Sequence, residues 1–85
     1  MFSVNHQLKT HPEYFEAVNQ GLKTFEIRKN DRGFKVGDPL LLREYSPQHK
    51  AFTGRAIMAN IIYMTDFEQK EDYVVLGIKT ISLLN

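Results

Sequence analysis

The segment from Gly21 to Arg32, GLKTFEIRKNDR, concentrates side chains that can do chemistry. Arg28 offers paired donors and a stacking plane, Lys23 a point charge for phosphate, and Glu26 an acceptor for base amino groups. Set in one groove, the three suit a nucleotide. Their spacing gives the geometry. Thr24 to Lys29 alternates apolar and polar residues as a strand does, with Phe25 and Ile27 on one face and Thr24, Glu26 and Arg28 on the other. Phe25 and Ile27 are expected to enter the core. Glu26 and Arg28 would then emerge together, roughly 7 Å apart along the strand, near enough to couple directly or across a ligand. The competing reading is a solvated ion-pair strand, because surface charge pairs are common and contribute little.

These residues need elements to position them. A helix is expected over about Pro12 to Gln20. Thr10 and Glu13 stand in capping-box spacing, Pro12 falls in the first turn, and Tyr14, Phe15 and Val18 recur at helical spacing. Gly21 follows as its stop. Before it, Phe2 to Lys9 can form a short strand with Phe2, Val4 and Leu8 pointing inward. After it come three further strands: Leu40 to Tyr45, Gly54 to Met64, and Tyr73 to Leu83 with a bend or bulge at Gly77. Asn30-Asp31 with Gly33, and Val36-Gly37-Asp38-Pro39, mark turns. Ser46 to Thr53 reads as an exposed loop, and acidic Thr65 to Asp72 as a surface crossing. The sets Ile57, Ala59, Ile61 and Val74, Leu76, Ile78 read as core. The expected fold is α+β, a small barrel of about five strands with one N-terminal helix packed beside a cleft.

At 85 residues the chain suits a single domain over 1–85. Eleven basic and ten acidic side chains leave a formal net charge of +1, so there is no general basic field, and any nucleic-acid contact must come from a local cluster. Cysteine is absent, which excludes disulfides, thiolate metal sites and cysteine nucleophiles. His6, His11 and His49 lack the spacing of a helical metal pair, so neither metal nor cofactor is expected. No apolar run resembles a secretory signal or approaches the roughly 20 residues of a membrane span. The expectation is a cytoplasmic protein with no membrane partner.

Gly21, Lys23, Glu26 and Arg28 stand in a G-x-K-x-x-E-x-R arrangement that resembles the signature of ASCH domains, members of the PUA-like superfamily. The resemblance extends to the helix before the signature, the Val36-Gly37-Asp38 turn, the leucine-rich strand after it and the closing Val74-Val75-Leu76-Gly77-Ile78 strand. It implies a β-barrel with a cleft beside the helix that binds RNA, with a single-stranded or looped target suiting the groove better than a duplex. It also implies an alternative, a small hydrolase acting on a modified nucleoside or on RNA. Some relatives remove the acetyl group from acetylated cytidine with a lysine, a threonine and a glutamate. Of these the lysine falls on Lys23, whereas the threonine position is Glu26, and the segment expected to carry the glutamate has no counterpart. If the chain is an enzyme, Lys23 and Glu26 are its candidate catalytic pair. An arginine beside Glu26 favours the ionised form, which suits recognition better than proton transfer near neutral pH.

Further candidates flank this centre. His6, in the strand before the helix, can reach the groove and hydrogen-bond a base or phosphate. Arg43 and Tyr45 share a face of the third strand, Arg55 begins the fourth, and His49, Lys50 and Phe52 lie between. Together they can form the far wall of an RNA groove, with snorkelling arginines and a packing tyrosine as the plainer reading.

Overall fold

The computed structural model describes residues 6–84, so Phe2 and Val4 lie outside the described residues. The elements run β1 (His6–Thr10), α1 (Pro12–Asn19), β2 (Phe25–Lys29), β3 (Pro39–Ser46), β4 (Ala51–Thr65) and β5 (Tyr73–Leu84). Among the described residues, no helix is long and apolar enough to cross a membrane.

The chain enters α1 without the expected capping box. Thr10 is still part of β1, and its hydroxyl donates to the Leu8 carbonyl at 3.3 Å. His11 is the N-cap, its backbone extended and its side chain making no capping bond, because Pro12 behind it already fixes the first helical φ. The helix exit is as expected. The Gly21 N–H donates to the Val18 carbonyl at 3.0 Å and the Leu22 N–H to the Ala17 carbonyl at 2.9 Å. Those two bonds make a Schellman motif, which requires the φ of +77° that Gly21 adopts. That sharp stop delivers Lys23 and β2 back towards the helix's start.

The five strands form one sheet in the order β1-β3-β4-β5-β2. Neighbours are antiparallel except β1 and β3, which run parallel, with α1 and β2 supplying the crossover. Register shifts between Met58 and Ala59 and between Ile61 and Tyr63 bend the two long strands. The irregularity expected at Gly77 is thus carried by the opposing strand at Ile62. Gly77 pairs with Tyr63, where an added Cβ would stand 3.2 Å from the tyrosine Cβ. Curled in this way, the sheet makes a half-barrel, a small α+β barrel-like fold whose edge strands are β1 and β2.

The inner face is the core. Leu8, Leu40, Leu42, Ile57, Ala59, Ile61, Val74, Leu76 and Ile78 alternate along four strands, and Phe15 and Val18 of α1 and Phe34 of the β2–β3 connection cover them. Phe15 is fully buried. The two inner sets expected on β4 and β5 are all buried. The expected Ser46–Thr53 loop is instead a tight hairpin, because Tyr45 pairs with Phe52 and Ser46 with Ala51, leaving only residues 47–50 to turn.

Candidate functional site

β2 faces the opposite way from expectation. Glu26 and Arg28 are the Cα partners of Leu76 and Val74 and share their inward face, while Phe25 and Ile27 point out and are 41% and 52% exposed. Alternation separates two faces but does not say which one is inside. Pairing with β5 decides it, since cross-strand partners share a face.

The consequence is a carboxylate in the barrel mouth. Glu26 is buried at 3% exposure with both oxygens held by cations: Lys23 Nζ donates to Oε2 at 2.6 Å, and Arg28 Nε donates to Oε1 at 3.1 Å. Lys23 Nζ also donates to the Phe25 carbonyl at 2.7 Å. It lies 5.0 Å from the centroid of the Phe25 ring and 5.8 Å from that of Tyr14. The glutamate is thus a fixed anchor that orients two positive groups, and the neighbouring rings favour Lys23 further.

These groups line a groove of about 490 Å³, in the range of roughly 300–1,000 Å³ typical of small-ligand sites. Its walls are the two unpaired sheet edges. β2 contributes Phe25 to Arg28, and β1 with the start of α1 contributes Lys9, Thr10, His11 and Tyr14; Lys23 closes one end. The groove is therefore the seam at which the barrel does not close. Guanidinium groups bridge that seam in place of a strand ladder. Arg28 Nη2 donates to the Lys9 carbonyl at 2.8 Å, and Arg32 Nη1 to the Gln7 carbonyl at 2.9 Å. Arg28 Nη1 makes no hydrogen bond among the described residues and remains available to a ligand.

Of the residues singled out from sequence, Lys23, Glu26 and Arg28 meet in this groove; the others lie elsewhere. His6 sits at the opposite end of β1, buried, with Nε2 2.9 Å from Asp38 Oδ2 and its ring edge-on to Phe34. It braces the Gly37 turn, where Asp38 also accepts from the Lys35 N–H, and these bonds hold the Asp38 carboxyl below the usual range. Arg55 turns inward and donates through Nε and Nη2 to the two oxygens of Glu44 at 3.0 Å each, and through Nη2 to Glu16 Oε1 at 3.3 Å. Glu44 is buried, and Arg55 holds its carboxyl below the ordinary range, against burial, with further help from the Thr53 hydroxyl. Arg43 and Tyr45 lie on the convex face.

Sequence reasoning did not single out Tyr14, Lys9 and Phe25 as groove residues. Helical geometry only sets Tyr14 at the border of the buried stripe once Phe15 is in the core, because adjacent helical residues point about 100° apart. Lys9 carried no signal of its own; only the meeting of the two sheet edges brings its carbonyl to Arg28.

Residues 5–78 match the family described as "Domain of unknown function (DUF3850)". Over 77 residues the chain is 42% identical to the "Uncharacterized 12.9 kDa protein in GpA 3'region" of Escherichia phage P2, covering 89% of this chain and 69% of that protein. The matched span runs from β1 into β5 and so takes in both edges of the groove and the signature between them. The chain belongs to the DUF3850 family.

Proposed function

We propose that the chain is an RNA- or nucleotide-binding module of the ASCH, PUA-like kind, with its ligand seated in the β1–β2 seam. The observation that carries this reading is the convergence of Lys23, Glu26 and Arg28 at one open groove beside exposed rings. A phosphate meets Lys23 and the free Nη1 of Arg28, while a base lies against Tyr14, which is 50% exposed. Glu26 holds the two cations apart and in place. The barrel's unpaired edges make room for an extended ligand that a closed ladder would exclude.

One observation favours a second reading. The 2.6 Å contact between Lys23 and Glu26 at a groove wall is also the geometry of a proton-sharing pair, which a hydrolase of modified nucleosides or RNA would use. Binding is preferred because both carboxylate oxygens already accept from cations, so that Glu26 is engaged in holding Lys23 and Arg28.

Fluorescence anisotropy of short labelled single-stranded RNAs at low and moderate salt tests the proposal. Wild type should bind saturably and more weakly as salt rises. Tyr14→Ala should lose about tenfold in affinity, as expected for one stacked base, with an unchanged melting profile. Arg28→Ala should also weaken binding, but it removes the seam bridge and so needs the melt as a control. Absence of wild-type binding at tens of micromolar protein would overturn the RNA reading. Product accumulating with time at substoichiometric protein would replace it by the hydrolase.

A further inference from the structure

The convex face carries a second basic and aromatic cluster that shares only Lys9 with the groove. Lys9 and Arg43 are Cα partners on β1 and β3, and Tyr45 and Phe52 are partners on β3 and β4. All four project outward, since Leu8, Leu42 and Glu44, their neighbours in the alternation, are buried. The Arg43 guanidinium lies 3.8 Å from the Phe52 ring centroid and the Lys9 ammonium 4.5 Å from that of Tyr45, with the two rings edge-to-face at 5.1 Å.

Charge compensation sets this cluster apart. Arg28, Arg32 and Arg55 each pair with a carboxylate, whereas Arg43 has none within 4 Å among the described residues. Its one side-chain hydrogen bond there, to Gln7 Oε1, is long at 3.4 Å. Set 3.8 Å over the Phe52 ring, the Arg43 guanidinium offers a plane to a base and edge donors to a phosphate together. Lys9 also lines the groove, so it stands on the rim where the seam meets the convex face.

We propose that Lys9, Arg43 and Phe52 form a second subsite for a single-stranded nucleic acid whose first nucleotide occupies the groove. The strand crosses the β1 edge at Lys9, which takes a backbone phosphate. The following base stacks on Arg43, itself backed by Phe52. The minimal ligand is then longer than one nucleotide, and its affinity rises once the chain is long enough to round β1. This inference rests on the groove reading for its first nucleotide.

The test compares binding of uridine 5′-monophosphate and a uridine hexanucleotide to wild type, Arg43→Gln, Arg43→Lys and Tyr14→Ala. Arg43→Gln should weaken hexanucleotide binding about tenfold, the size expected for one stacked base, and leave the mononucleotide unchanged within twofold. Arg43→Lys should restore the salt dependence but not the full affinity, because it returns the charge without the plane. Tyr14→Ala should weaken both ligands. Equal hexanucleotide affinity in wild type and Arg43→Gln overturns the second subsite while leaving the groove intact. Hexanucleotide binding that depends on Arg43 but not on Tyr14 overturns the groove and keeps the convex subsite as the primary one. No binding of either ligand by wild type overturns both.

Discussion

Glu26 and Glu44 are two buried carboxylates on the inner face of one half-barrel, each held by an arginine from its own or a neighbouring strand. Only one of them borders a groove. Glu44 lies on β3 between two paired neighbours, and its oxygens are taken by Arg55 and Thr53 of the adjoining β4. Glu26 lies on an edge strand that pairs on one side only, so its cations, Lys23 and Arg28, look into the open seam. Residue chemistry is nearly the same in the two clusters. What separates a closed structural ion pair from a candidate site here is the position of its strand in the sheet.

The comparison yields graded tests. The largest effects belong to truncation. Glu26→Ala and Glu44→Ala should each lower the unfolding free energy by about 2–3 kcal/mol, below the full cost of an orphaned buried charge because their partner cations keep some access to water. Urea titration measures this, and a loss confined to Glu44 would show that the seam cluster does not support the fold. Next is the bridge itself. Arg28→Ala should cost about 2 kcal/mol because Glu26 loses a partner and the Lys9 carbonyl a donor, whereas Arg43→Ala on the convex face should stay within about 0.5 kcal/mol.

Binding divides the clusters more sharply. Glu26→Gln keeps the side chain's shape but no longer fixes Lys23 and Arg28 by charge, and it should change RNA affinity about tenfold in the anisotropy titration. Glu44→Gln should leave it unchanged within twofold. If both variants lose binding equally, the distinction between edge and interior is wrong.

The smallest expected effect is on pH dependence. Glu44 is held below the ordinary glutamate value of 4.5, chiefly by its hydrogen bonds from Arg55. Its folded pKa is therefore lower than its unfolded one. The pair's stabilisation is fully present above that ordinary value and is lost as pH falls from there through the folded pKa. Urea midpoints for Glu44→Gln should consequently vary less than wild type on acidification below about pH 5. Asp38, held low by His6, loses stabilisation in the same direction and supplies part of the slope that remains. An identical acid profile in wild type and Glu44→Gln would remove the pH argument for that pair.

Much of the architecture was legible because local rules and tertiary packing agree. The Gly21 stop, Pro12 at the helix start, the Val36-Gly37-Asp38 turn and the inner faces of β4 and β5 follow from steric and periodic constraints that act within a few residues. The errors fall where such constraints are silent. Thr10 had the right spacing for a cap, yet the strand retained it. Ser46 to Thr53 had the composition of a loop, yet cross-strand pairing of Tyr45 with Phe52 tightened it to a hairpin.

The site divides in the same way. That Lys23, Glu26 and Arg28 lie close together was legible in the sequence, since a period of two puts Glu26 and Arg28 on one side of β2 and the Gly21 stop sets Lys23 just before that strand. Which side faces inward was decided by the register with β5, which sets Glu26 beside Leu76. That His6 and Arg55 point to other partners, and that Lys9 and Tyr14 join the groove, was decided by the curl of the sheet. Curl and register depend on pairings between residues far apart in the chain. Alternation records that a strand has two faces; only the assembled sheet gives those faces an inside and leaves two edges with a gap between them.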